Sequence, residues 1–179
     1  MKHYLVTGGA GFIGSHITQA LLRTGAAVRV LDDFSTGRKE NLEEAQDRPT
    51  PGTIEVMEAD LRDPVKVGEA VRGIDVVFHE AAFVSVPESM ERPQECLDVN
   101  VAGTAHLLEA ARKAGVGRVV IASSAAVYGD SMEQPLAEDT PLRPLSPYAV
   151  SKNVNELYAG LYSQTFGLEV TALRYFNVY

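Results

Sequence analysis

The chain has 179 residues, enough for one domain with a full core. It is 45% apolar and 22% charged, an ordinary globular balance, and its formal net charge of −8 without a basic stripe argues against a nucleic-acid footprint. A single cysteine, Cys96, excludes an internal disulfide and a cysteine metal cluster, and no apolar run is long enough to span a bilayer. Cys96 reads as a small buried apolar residue. The apolar run after Met1 passes straight into glycines, so no secretory leader is expected and a cytoplasmic location is.

In chain order, β-branched runs predict strands at 4–7, 27–31, 54–58, 76–79, 118–122 and 169–173, and helical segments at 12–24, 64–71, 93–114 and 147–166. The segment 35–52 is polar and carries charges, prolines and glycines, and it reads as an irregular connection. The alternation of strand and helix marks an α/β protein with a parallel sheet, and short apolar runs without clean alternation suit strands covered on both faces. Six strands with helical crossovers predict a doubly wound sheet of order 3-2-1-4-5-6, whose ligands bind beyond the C-terminal strand ends at the switch point.

The first strand runs into Thr7-Gly8-Gly9-Ala10-Gly11-Phe12-Ile13-Gly14. Gly9, Gly11 and Gly14 satisfy G-x-G-x-x-G, and Gly8, Gly11 and Gly14 the related G-x-x-G-x-x-G. Glycines here permit a tight turn and let the backbone approach a pyrophosphate, which the following helix meets with its N-terminal amides. The second strand ends in Asp32-Asp33, and Asp32 lies 18 residues after Gly14, near the ~20 expected of an acid that binds the adenosine ribose. A carboxylate there accepts from the ribose hydroxyls and repels a 2′-phosphate, which favours NAD over NADP. Asp60, ending the third strand, is a candidate partner for the adenine amino group, with helix capping by Asp60 or Asp63 an equal reading. His79 ends an apolar strand and reads as a satisfied structural histidine. Ala81 and Ala82 leave room for a close-passing cofactor.

Tyr148 and Lys152 stand four residues apart at the start of a predicted helix, on one face. A free tyrosine titrates near ~10 and is a poor base; an ammonium beside it favours the phenolate. Ser123 or Ser124, at the end of the fifth strand, offers a hydroxyl to a substrate oxygen, or simply satisfies local backbone. Tyr128 has no lysine four residues on and reads as packing, or as a support one layer behind the site.

The stretches Thr7–His16, Asp32, Asp60-Leu61, His79–Ala82, Asn100, Ser123–Gly129, Tyr148–Lys152 and Arg174–Tyr179 together resemble the NAD-dependent epimerase/dehydratase family of extended short-chain dehydrogenases/reductases. The resemblance covers the whole chain and is strongest to nucleotide-sugar 4-epimerases. It implies Tyr148 as acid/base, Lys152 as its electrostatic partner and ribose ligand, and Ser124 as a hydrogen-bonding helper. Residues expected against the cofactor are Gly8, Gly11, Phe12, Ile13, Gly14, Asp32, Asp33, Thr36, Gly37, Asp60, Leu61, Ala81, Ala82, Asn100, Ser123, Tyr148, Lys152 and Tyr175. Ser85, Ser124, Tyr148 and Asn177 are expected against a UDP-sugar. The implied reaction is transient oxidation to a 4-keto sugar. Family dehydratases and decarboxylases carry acids where this chain has Ala125 and Ala126, which tilts the reading toward epimerase. A nucleotide-sugar reductase or dehydratase and a non-catalytic NAD-binding module are the alternatives. The resemblance also implies a homodimer through the segments 93–114 and 147–166, and a smaller substrate-binding domain beyond Tyr179, so residues 1–179 are expected to form the NAD-binding Rossmann domain alone.

Overall fold

Six parallel strands form one sheet in the order β3-β2-β1-β4-β5-β6: β1 His3–Thr7, β2 Ala27–Asp32, β3 Thr53–Glu58, β4 Val76–His79, β5 Arg118–Ser124 and β6 Glu169–Tyr175. The computed structural model describes residues 1–46, 50–131 and 135–179. Strand order and all six strands agree with expectation. β5 and β6 each run two residues further than predicted, in a register that sets Ser123 beside Arg174 and Ser124 beside Tyr175.

The helices are α1 Phe12–Arg23, α2 Lys39–Gln46, α3 Pro64–Ala70, α4 Val86–Glu91, α5 Pro93–Leu97, α6 Gly103–Ala114 and α7 Pro147–Phe166. Alternate strand residues feed two cores, one on each face of the sheet. Leu5, Leu31, Val77, Val119 and Ile121 pack with Val67, Leu107, Leu108 and Tyr162 of α3, α6 and α7. Val6, Val28 and Val30 pack with Leu22 of α1 and Leu42 of α2.

Three helical features depart from the sequence reading. The segment 35–52 is not wholly irregular, because α2 lies within it. Its residues are mostly good helix formers, and Leu42, at 3% exposure, ties it to the α1 core; so polar a composition hides that anchor. The helix α4 also falls between predicted elements, started by Ser85, whose hydroxyl accepts from the Glu88 amide. The predicted helix 93–114 follows a helical path throughout but is divided by a π-helical turn over Asp98–Ala102. Such turns cluster at functional positions, and this one carries the buried Asn100.

Candidate functional site

At the end of β1 the chain turns so tightly that glycine is obligatory. Gly8 has φ +66°, and a Cβ there would lie 2.5 Å from the Ala81 amide nitrogen. A Cβ on Gly14 would overlap the Gly8 carbonyl oxygen. The α1 N-terminus then stands bare: Gly11 is its N-cap, no side chain caps it, and its first turn holds no acid. By contrast α3, α4 and α7 are closed by Asp63, Ser85 and Ser146. A close-packed glycine cradle leading to open helix amides is what a dinucleotide pyrophosphate requires. Phe12 is exposed, edge-on to His16, and Ile13 is half-buried beside it.

Asp32 is 6% exposed and binds the cradle to the end of β2. It accepts from the Ala10 amide at 2.9 Å and from the Phe34 amide at 2.9 Å. Burial raises its carboxyl above the usual carboxylate range despite those donors. Gly37 lies against Asp32 and Ala10, while Thr36 is exposed. The Ala10 carbonyl accepts from the Arg38 amide and the Asn41 side chain, so the loop after β2 is stitched to the cradle. Asp33 instead closes a local turn, accepting from the Ser35 amide and hydroxyl.

At the end of β3 the capping question has a plain answer. Asp63 caps α3, accepting from the Val65 and Lys66 amides. Asp60 is gripped by Arg62, with Nη2 to Oδ2 at 2.5 Å and Nε on both oxygens, and that guanidinium holds its carboxyl below the usual range. Leu61 is buried against Gly103. His79 is locked between hydroxyls, Nδ1 to Thr7 Oγ1 at 2.7 Å and Nε2 to Thr104 Oγ1 at 2.9 Å, and burial pushes its pKa down to about 3. It stays neutral and structural. Ala81 and Ala82 are half-buried, Ala81 directly beneath Gly8.

The ends of β5, β6 and α7 converge on Tyr148. Ser146 caps α7, and Pro147 fills its first turn. Ser124 is the side chain that pulls the Tyr148 phenol down, and its Oγ accepts from the Ala126 amide at 3.1 Å; Ser124 therefore serves both the site and its own turn. Lys152 is 4% exposed and donates to the Ala122 carbonyl at 2.8 Å, its Nζ 5.7 Å from the Tyr148 ring centroid. Burial pushes Lys152 down to about 8 and pushes the Tyr148 phenol up; the Ser124 hydrogen bond pulls the phenol the other way without reversing it. Desolvation thus outweighs the help that the phenol gets from Ser124.

Asn100 joins the site's supports. Its Oδ1 accepts from the Phe83 amide at 2.7 Å and its Nδ2 donates to Ser151 Oγ at 2.9 Å, tying the segment after β4 to α7. Ser123 does not face Tyr148: its hydroxyl donates to Glu156 at 2.5 Å. Glu156 in turn accepts a bidentate pair from Arg174, which also reaches the Tyr128 hydroxyl at 2.8 Å and the Glu138 carbonyl at 2.7 Å. Tyr175 donates to Glu80 at 3.2 Å. Ser85 is spent on capping α4, and Asn177 is exposed beyond β6. Sequence reasoning passed over Glu156 and Glu80. The available signals were an acid one turn beyond Lys152, and an acid among the small residues that end β4. Among the described residues no cluster of three or more His, Cys, Asp or Glu could hold a metal ion, and no helix is long and apolar enough to cross a membrane.

Residues 4–179 match the NAD dependent epimerase/dehydratase family, and the chain belongs to it. A UDP-glucose 4-epimerase of Mycolicibacterium smegmatis is 42% identical over 177 residues, 98% of this chain and 56% of that protein. The solved UDP-glucose 4-epimerase of Thermus thermophilus, in complex with NAD, is 45% identical with a TM-score of 0.88 over 99% of this chain and 56% of its own. The UDP-N-acetylglucosamine 4-epimerase of Methanobrevibacter ruminantium, in complex with UDP-N-acetylmuramic acid, gives a TM-score of 0.92 at 38% identity, with the same coverage. This chain spans about half the length of the relatives it matches.

Proposed function

We propose that the chain is the cofactor-binding and catalytic part of an NAD-dependent UDP-sugar 4-epimerase, acting on the UDP-glucose/UDP-galactose pair or an N-acetylated analogue. The observation that carries this reading is the convergence of Ser124, Tyr148 and Lys152 beside a glycine cradle that a single Cβ would fill. Gly8, Gly11 and Gly14 with the open α1 terminus would hold the pyrophosphate, and Asp32 the adenosine ribose. Bound NAD supplies the acceptor, then the donor, of the hydride at sugar C4.

Tyr148 takes the proton from the sugar 4-hydroxyl and returns it to the same oxygen once the sugar has turned over. Ser124, beside Tyr148, would offer its hydroxyl to that oxygen. Burial favours the phenol form of Tyr148, and the Lys152 ammonium together with the positive nicotinamide ring would favour the phenolate that takes this proton. Ala125 and Ala126 follow Ser124 with methyl groups that move no protons, which favours epimerisation over elimination. An exposed apolar stripe on α7, Val150, Leu157 and Leu161, with Leu97 of α5 also exposed, supports a homodimer through these helices. A cytoplasmic location accords with that reading.

The test is to incubate the chain with NAD and either UDP-galactose or UDP-N-acetylglucosamine and measure conversion to the C4 epimer. Interconversion is expected, and Tyr148→Phe should slow it about 10²- to 10⁴-fold. Retained NAD with no interconversion of either sugar would contradict the reading for this chain.

A further inference from the structure

Ala10 sits in the middle of the glycine cradle and is fully buried, so both its backbone polar groups need partners inside the fold. Its amide donates to Asp32 Oδ2 at 2.9 Å. Its carbonyl accepts from the Arg38 amide at 3.0 Å and from Asn41 Nδ2 at 2.8 Å. A carbonyl only accepts, so the Asn41 atom that meets it is the amide nitrogen. A single residue of the cradle thus ties the acid that ends β2 to the first turn of α2.

The loop between them, residues 33–38, is drawn close over that acid. The Phe34 amide donates to Asp32 Oδ1 at 2.9 Å, from a residue held at φ +56°, a left-handed conformation that a bulky side chain adopts only when its surroundings enforce it. A Cβ on Gly37 would lie 2.8 Å from Asp32 Oδ1 and 2.9 Å from the Ala10 Cβ. From α2, Leu42 reaches the core that contains Ala10, and Asn41 reaches the Ala10 carbonyl. The Lys39–Glu58 ion pair is 63% and 64% exposed and adds little to this hold. Among the described residues each Asp32 oxygen accepts one amide. A carboxylate oxygen can accept two donors, so each retains an acceptor site for a ribose hydroxyl.

We propose that Asn41 is a positioning residue for recognition of the cofactor's adenosine ribose: it pins Ala10, and through the Ala10 amide it sets the direction in which the Asp32 carboxylate meets the ribose hydroxyls. The proposal rests on reading Asp32 as the ribose ligand. Leu42 holds α2 down by packing, whereas Asn41 sets an angle by a hydrogen bond. Loss of the Asn41 amide therefore blunts recognition of the hydroxyls more than it loosens the fold.

The test compares the affinity of the intact chain for NAD and for the NAD analogue that lacks the 2′-hydroxyl of the adenosine ribose. It is made in the wild type and in Asn41→Leu, which keeps the side-chain volume and removes the donor. The wild type should prefer NAD by about 10- to 100-fold, the range of one hydrogen bond to a charged group. In Asn41→Leu, NAD should weaken about tenfold and the analogue little, so that the preference shrinks by about the same factor. Equal weakening of both ligands, the mark of a merely structural role, overturns the proposal, and so does unchanged affinity for both. Should the leucine chain fail to fold, Asn41→Ala adds no bulk and is read in the same way. A wild type that binds both ligands alike contradicts the ribose reading of Asp32 and the proposal with it, whereas a preference kept in the variant overturns the proposal alone. No sugar is present in the measurement, so a shrunken preference in a chain without turnover contradicts only the epimerase reading.

Discussion

The ends of β1 and β2 carry their chemistry on the backbone, whereas the ends of β4, β5 and β6 carry theirs on side chains. In the first region the Gly8–Gly14 turn and the bare α1 terminus form a surface of amides, and Asp32 is anchored by two of the surrounding amides. Its requirements are steric: a single added Cβ would collide with backbone. In the second region Tyr148, Lys152, Ser124, Glu80 and Tyr175 meet through side-chain bonds and fields, and burial sets their protonation. The difference teaches where each half is vulnerable. The cofactor half fails by shape, the reacting half by charge.

Removing the ionic clamp behind the reacting half should have the larger effect on stability. Glu156 lies one turn beyond Lys152 and joins α7 to β5 through Ser123 and to β6 through Arg174, with both charged side chains mostly buried. Glu156→Ala strands the Arg174 guanidinium and should cost about 3 kcal/mol in urea unfolding. Loss within a few tenths of a kcal/mol would mean the clamp is solvated and the two halves are supported alike.

A smaller effect separates the halves by pH. His79 has its folded pKa near 3, against an ordinary 6.5, so the unfolded chain takes up a proton below pH 6.5 that the folded chain refuses. Its contribution to stability is complete above pH 6.5 and is lost as pH falls from there toward 3. The loss from this group should reach about 2 kcal/mol by pH 5. Comparing unfolding at pH 7.5 and pH 5 in the wild type and in His79→Gln checks it: the variant should show a shallower fall. Equal slopes would mean His79 is charged in the fold.

Much of this architecture is legible in the sequence, because local rules determine it. The strand order follows from alternating strands and crossovers, and the Gly8–Gly14 turn announces itself by spacing. Tyr148 and Lys152 share a face by helical period alone. What escapes is settled by tertiary contact. The helix α2 is tied down by the tertiary contact of Leu42, and the π-helical turn depends on Asn100 reaching Phe83 and Ser151. Ser123 reads as a site hydroxyl until the strand pleat turns it toward Glu156. The burial that raises the Tyr148 phenol is likewise a tertiary effect.

The most direct test of the contrast is NAD affinity in three chains: wild type, Gly14→Ala and Tyr148→Phe. If shape governs the cofactor half, Tyr148→Phe binds within about fivefold of wild type, while Gly14→Ala loses about 100-fold or more, roughly 3 kcal/mol. Loss of NAD in Tyr148→Phe as deep as in Gly14→Ala, or normal binding by Gly14→Ala, would contradict the account.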